Sequence, residues 1–125
     1  MIDFKNGGFF KLKQTDTENG SKLVSDLLIA DEQVLSVYQG IRDHVIFTDK
    51  RVIAVNVQGM VGKKKDFTSL PYSKISAYSI ETPGVGDIDG ELELWYSGLG
   101  RVRFEFTGHS DIEGIGKMIA QHALR

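Results

Sequence analysis

The stretch Asp43-His44-Val45-Ile46-Phe47-Thr48-Asp49-Lys50-Arg51-Val52-Ile53-Ala54-Val55-Asn56-Val57 reads as two strands, Asp43–Thr48 and Arg51–Val57, around a tight turn at Asp49-Lys50. β-Branched and aromatic residues fill both arms, and an acid that favours turns separates them. The second arm contains Val52-Ile53-Ala54-Val55, apolar at successive positions, so both of its faces predict burial. Such a strand needs sheet partners and cover on either side. Working outward, Val34, Val37 and Tyr38 lie in a β-prone run that ends at Gln39-Gly40. Downstream come Lys63–Ser69, then Lys74–Glu81 beyond Pro71-Tyr72, then Gly90–Tyr96 and Val102–Thr107. The count is seven strands, all expected to be antiparallel.

The last hairpin allows a register to be derived. Leu92, Leu94 and Tyr96 share one face, as do Val102, Phe104 and Phe106. Side chains alternate with period two, so Tyr96 opposite Val102 keeps the two apolar faces together, whereas a one-residue slip mixes them. The connection then centres on Gly98-Leu99-Gly100, whose glycines can take the positive φ of a bulged hairpin. In this register Trp95 stands opposite Arg103 on the outer face, where a cation–π contact would be worth about 0.5–1 kcal/mol.

Two helices frame the strands. Thr15-Asp16-Thr17-Glu18 has the form of a capping box, and Leu23, Val24, Leu27 and Leu28 follow at helical spacing, ending near Ala30. Ser110-Asp111-Ile112-Glu113 is a second box, followed by Ile112, Ile115, Ile119 and Ala123 on one helical face. Gly114 and Gly116 each cost a helix about 1 kcal/mol relative to Ala, which predicts close approach of this helix to a sheet. Residues 1–14 read as an N-terminal arm packed on its own domain, with exchange onto a neighbouring subunit as the alternative. Residues 15–125 form a single domain. An apolar sheet face must be covered, so the fold class is mainly β: two packed sheets or a partly open barrel, closed at one end by the C-terminal helix.

Composition narrows the function. The 125 residues carry 15 basic and 17 acidic side chains, a net charge of −2, so nucleic acid is not an expected partner. Cysteine is absent, which removes thiol chemistry and fits a reducing compartment. Met1–Gly8 lacks a basic segment leading into an apolar one, and Leu27-Leu28-Ile29-Ala30 is far short of the roughly 20 residues of a spanning helix. The expected location is cytoplasmic.

No catalytic or cofactor motif closes. His44, His109 and His122 have no helical metal spacing among them. Asp87-Ile88-Asp89-Gly90-Glu91 departs from a calcium loop, because Gly comes fourth and Gly98 occupies the twelfth place. Gly84-Val85-Gly86 and Gly98-Leu99-Gly100 begin dinucleotide-like patterns that end on Asp89 and Arg103 and open no helix. Glu91 and Glu93 share an outer strand face rather than flanking a cleft. No enzyme and no cofactor are expected. The one basic cluster is Lys63-Lys64-Lys65, beside Asp66.

Arg42-Asp43-His44-Val45-Ile46-Phe47-Thr48-Asp49-Lys50-Arg51, Gln58-Gly59-Met60-Val61-Gly62-Lys63-Lys64, Leu70-Pro71-Tyr72-Ser73-Lys74-Ile75, and Ile80-Glu81-Thr82 through Asp87-Ile88-Asp89-Gly90-Glu91-Leu92 occur in order. From about residue 20 onward the chain resembles the bacterial pleckstrin-homology-like family. The resemblance implies two nearly orthogonal antiparallel sheets of four and three strands with a capping C-terminal helix. It also implies stand-alone domains that assemble into cyclic homo-oligomers, a pentamer being the expected ring. Such rings would present a polar surface to a further, unidentified protein partner.

The candidate protein-interaction surface is Arg42, Asp43, Lys50, Arg51, Glu81, Asp87, Asp89 and Glu91, all at strand ends and turns. Trp95 with Arg103 is the candidate oligomer interface, since an exposed aromatic flanked by charge suits a subunit contact. The alternative is a membrane surface, with acidic lipid held by Arg42, Lys63, Lys64 and Lys65. The first hairpin loop of lipid-binding pleckstrin-homology domains is lysine-rich, whereas here it is Gln39-Gly40-Ile41-Arg42-Asp43.

Overall fold

The computed structural model describes residues 1–59 and 64–124. Its elements are β1 (Phe9–Thr15), α1 (Thr17–Val24), β2 (Val34–Gln39), β3 (Asp43–Thr48), β4 (Arg51–Gln58), β5 (Lys64–Pro71), β6 (Ile75–Glu81), β7 (Gly90–Tyr96), β8 (Gly100–Phe106) and α2 (Ile112–Ala123). Eight strands form one open hydrogen-bonded array in the order β5-β4-β3-β2-β1-β8-β7-β6. The expected sets of four and three strands stand on either side of β1, and α2 is the expected C-terminal helix.

The eighth strand corrects the reading of residues 1–14 as an arm. β1 is antiparallel to β2 but parallel to β8, so the array is not wholly antiparallel. Alternation hid this strand. Lys11 sits at φ 54, and the pairing with β8 shifts between Phe9 and Leu12. This irregularity puts Phe9 and Leu12, three residues apart, both in the core and breaks the period of two. The residues before β1 pack on their own chain. The Met1 ammonium lies 2.9 Å from Asp66, the Ile2 amide donates to Thr68 Oγ1 at 3.2 Å, and Phe4 stacks on Phe9.

The two apolar faces of β4 are explained by two cores. Val52 and Ala54 face the main one, where Phe9, Tyr38, Phe47, Phe104 and Phe106 pack with Ile112, Ile115 and Ile119 of α2. Ile53 and Val55 face a smaller cluster with Val24, Val37 and Ile46, beside α1.

The helix caps shift slightly from expectation. Thr15 belongs to β1, and Asp16 caps α1 by accepting from the Asn19 amide at 3.0 Å. Asp111 caps α2 by accepting from the Gly114 amide at 3.0 Å, while Ser110 Oγ donates to the Thr107 carbonyl. Gly116 does lie against the sheet, at Ile80, but Gly114 faces the Asp111 cap instead. Among the described residues, no helix is long and apolar enough to cross a membrane.

Candidate functional site

Alternation along β7 and β8 sends Leu92, Leu94, Tyr96, Val102, Phe104 and Phe106 into the core. It leaves Glu91, Glu93 and Trp95 on β7, with Arg101, Arg103 and Glu105 on β8, facing outward. The ladder pairs Tyr96 with Gly100, Trp95 with Arg101, Leu94 with Val102, Glu93 with Arg103 and Glu91 with Glu105. The expected register is therefore wrong by two residues. A two-residue slip keeps every side chain on its face, so alternation cannot detect it. Backbone conformation decides: Gly100 at φ 91 joins the ladder, and Gly98 at φ 84 turns the shorter Ser97-Gly98-Leu99 connection.

The expected contact between Trp95 and Arg103 is accordingly replaced. Arg103 forks onto Glu91, with Nε 2.8 Å from Oε1 and Nη2 donating to Oε2 at 2.8 Å. Its guanidinium lies 6.0 Å from the centre of the Phe10 ring, not over Trp95. The Glu91 carboxylate holds the Arg103 guanidinium more firmly protonated than usual. Arg101 donates to Glu93 Oε2 at 3.1 Å. Two diagonal ion pairs thus cross the outer face, and Glu91 and Glu105 are tolerated opposite one another because Arg103 lies between them in charge. Trp95 stays 44% exposed and Phe10 49% exposed at the margins of this ladder.

Beside Trp95 a groove of about 560 Å³ opens between the β7–β8 turn and the N-terminal segment. Phe4, Lys5, Trp95, Leu99, Gly98 and Arg101 line it. Lys5 gives it positive charge, Arg101 being already paired with Glu93, and Phe4 and Trp95 make its lining partly aromatic. Among the described residues that line it there is no nucleophile with an adjacent base. The arrangement suits recognition of a surface bearing an apolar side chain and a carboxylate.

The other predicted polar residues do not converge on this face. Arg42 and Asp43 lie at one end of the β3–β4 hairpin, and Lys50 and Arg51 at the other. Arg42 donates to the carbonyls of Val57 and Gly59, at 3.4 and 3.1 Å. Asp43 accepts from Asn56 Nδ2 at 2.6 Å. Arg51 is structural: Nε and Nη2 each donate to Glu32 at 2.9 Å, and Nη2 also reaches the Leu27 carbonyl. Lys50 is exposed in the turn. Glu81 and Asp87 are exposed, with Asp87 accepting from the Asp89 amide at 3.0 Å. Asp89 pairs with Lys11 at 3.1 Å, which raises the proton affinity of that ammonium.

Of the eight, only Glu91 shares the face of Trp95 and Arg103. Of the lysine cluster, Lys63 lies outside the described residues. Lys64 and Lys65 are exposed at the end of β5 nearest Arg42. Sequence reasoning missed Arg101, which needed the correct register, and Phe10 and Lys5, which it left in an unpaired arm.

The fold agrees with comparisons to known proteins. A family model described as "Bacterial PH domain" matches residues 3–123, so the likeness includes β1. The chain is 41% identical over 99 residues to the uncharacterized protein YjqA of Bacillus subtilis (strain 168), covering 78% of this chain and 79% of that protein. It is 29% identical over 102 residues to the uncharacterized protein YozO of the same organism, covering 82% and 88%. Among solved structures, a DUF1696 family protein with a pleckstrin-homology domain from Shewanella loihica PV-4 superposes with a TM-score of 0.81 at 34% identity. That match covers 94% of this chain and 100% of the other. A pleckstrin homology domain from Shewanella amazonensis SB2B gives 0.69 at 35% identity, covering 96% and 94%.

Proposed function

Since the chain belongs to the bacterial PH domain family, we propose that it is a non-enzymatic assembly module of the cytoplasm. Copies join into a closed ring, five being the expected number, and the ring presents a polar surface to another protein. The observation that carries this reading is the outer face of β7 and β8. There an exposed Trp95 adjoins the crossed pairs Glu91–Arg103 and Glu93–Arg101. Trp and Arg are the residues most often found at the energetic centres of interfaces, and ordered ion pairs supply register and specificity around them. Exposing 44% of an indole on a rigid sheet has no role in the domain's own core.

Light scattering at micromolar concentration tests it. A mass well above 13.9 kDa is expected, and Trp95→Glu should lower that mass while circular dichroism stays unchanged. A clean monomer overturns assembly. An unchanged mass in Trp95→Glu removes this face from the interface.

A further inference from the structure

The loop between β6 and β7, Thr82-Pro83-Gly84-Val85-Gly86-Asp87-Ile88-Asp89, projects away from the rest of the chain. Every residue from Glu81 to Ile88 is exposed, and a Cβ added at Gly84 or Gly86 would meet no atom within 4 Å. Val85 stands at its apex with 110% relative exposure, and Ile88 is 47% exposed. The loop is shaped rather than slack. Gly86 takes φ 80, the Asp87 amide donates to the Gly84 carbonyl at 3.1 Å, and the Asp87 carboxylate caps the Asp89 amide. A fully exposed apolar tip held by a tight, hydrogen-bonded turn contributes nothing to the fold that carries it.

The complement of this tip lies at the far end of the same hairpin. The groove beside Trp95 is lined by the apolar Phe4, Trp95 and Leu99 together with Lys5 and the Glu93-paired Arg101. Among the described residues no carboxylate lines it, Glu93 reaching only as far as Arg101. The tip carries Val85 at its apex, followed two residues later by Asp87 and then by Ile88, with Glu81 at its base. Apolar matches apolar, and acid matches base. The tip follows the Glu81–Glu91 end of the β6–β7 ladder, whereas the groove adjoins Trp95 at the other end. Tip and groove on one chain are therefore separated by the length of β7.

From this complementarity we propose that the β6–β7 loop of one copy seats in the Trp95 groove of the next, with Val85 against the indole and Asp87 against Lys5. The inference rests on the assembly reading and gives it a specific contact. Because two different patches meet, the contact is heterologous, and repetition of it closes a ring or extends a chain rather than stopping at a two-fold dimer. A loop in a groove covers less than the roughly 800 Å² per partner of a stable interface, so it selects the neighbour and its orientation while the β7–β8 face adds area.

The contact is tested with single substitutions at exposed positions, each checked for folding by circular dichroism because Asp87 also caps the Asp89 amide. Val85→Asp, Asp87→Lys and Lys5→Glu should each lower the mass measured by sedimentation velocity at micromolar concentration. The double variant Lys5→Glu/Asp87→Lys should recover it, because the charges exchange sides. Trp95 is the only tryptophan, so its emission reports the groove directly. It should lie to the blue in the assembled wild type and move to the red in Val85→Asp. A wild type that is monomeric at every concentration overturns the assembly reading and this contact with it. A wild type that assembles, with neither mass nor emission changed in Val85→Asp, overturns the loop contact and leaves assembly standing.

Discussion

Glu32 and Arg51 meet through two hydrogen bonds of 2.9 Å each, and the Glu32 side chain has no exposed surface. Thr48 Oγ1 donates to the same carboxylate at 2.7 Å, tying the segment before β2 to the β3–β4 turn. The two partners are not equivalent. Arg51 keeps 21% of its side chain exposed and can hydrate if Glu32 is lost, whereas Glu32 without Arg51 is a buried, uncompensated charge. Arg51→Ala should therefore cost about 3–5 kcal/mol and Glu32→Ala less, with the double variant costing less than the sum. Urea unfolding midpoints check the order.

That pair also sets an acid limit. Burial alone would push the Glu32 carboxyl up, but hydrogen bonds from Arg51 and Thr48 outweigh it and hold the group below the ordinary carboxylate range. A lowered folded pKa means stability is complete above about pH 4.3 and is lost as pH falls through the folded value. Glu32→Gln should flatten the acid limb of a stability–pH curve. An unaltered limb would assign it to other carboxylates.

Two helical glycines should respond differently to alanine. A Cβ on Gly20 would collide with the Val37 side chain, at 2.8 Å from Cγ1, and Val37 is fully buried on a central strand. Gly20→Ala should lose about 1–3 kcal/mol to overpacking, more than the roughly 1 kcal/mol of helix propensity gained. A Cβ on Gly116 would stand 3.0 Å from Ile80 Cδ1, but Ile80 is 36% exposed and can give way. There the propensity gain should roughly cancel the contact, and thermal melts of the two variants separate the cases.

These particulars show what was legible in the sequence. Strand positions followed from alternation because most strands here have one clearly apolar face, and even the doubly apolar Val52–Val55 run found its two cores. β1 was not legible, since the bulge at Lys11 spoils the alternation and its parallel neighbour β8 lies at the far end of the chain. Register was legible only modulo two. The site inherited both blind spots: Trp95 was placed on the correct face by its parity, yet its cross-strand neighbour Arg101 and the Phe4–Lys5 wall of the groove depended on turn geometry and on tertiary packing. Arg51 shows the converse error, a charged turn residue whose partner, Glu32, no local pattern announces.

The crossed ion pairs should matter more between copies than within one. Arg101 and Glu93 retain 51% and 22% side-chain exposure, so their attraction is screened by water and worth about 0–1 kcal/mol to the single fold. Glu93→Lys should lower the urea midpoint only modestly, for a loss of about 1 kcal/mol from the broken pair and a screened cross-strand repulsion. It places a cation opposite Arg103 and beside Arg101, reversing the pattern that a neighbour would read. On the proposed assembly, mass by light scattering should fall while the fold persists. A loss of both together would make the pair structural instead.

His44 gives a second, separable pH dependence. Its Nδ1 is buried without a hydrogen-bond partner, on a half-buried strand position opposite Val55. Burial lowers its pKa first, and the Lys65 charge lowers it further against the opposing pull of Asp43. The folded protein thus holds His44 neutral at a pH where the unfolded chain has already bound a proton. Stability is complete above about pH 6.5 and declines as pH falls from there to the folded value. One group can contribute a slope no steeper than about 1.4 kcal/mol per pH unit. His44→Gln should abolish this decline without touching the acid limb set by Glu32, because the two groups titrate in different ranges. Denaturant midpoints between pH 7.5 and about 5 would reveal it, and a wild type with the same slope as His44→Gln would show that the imidazole reaches water after all.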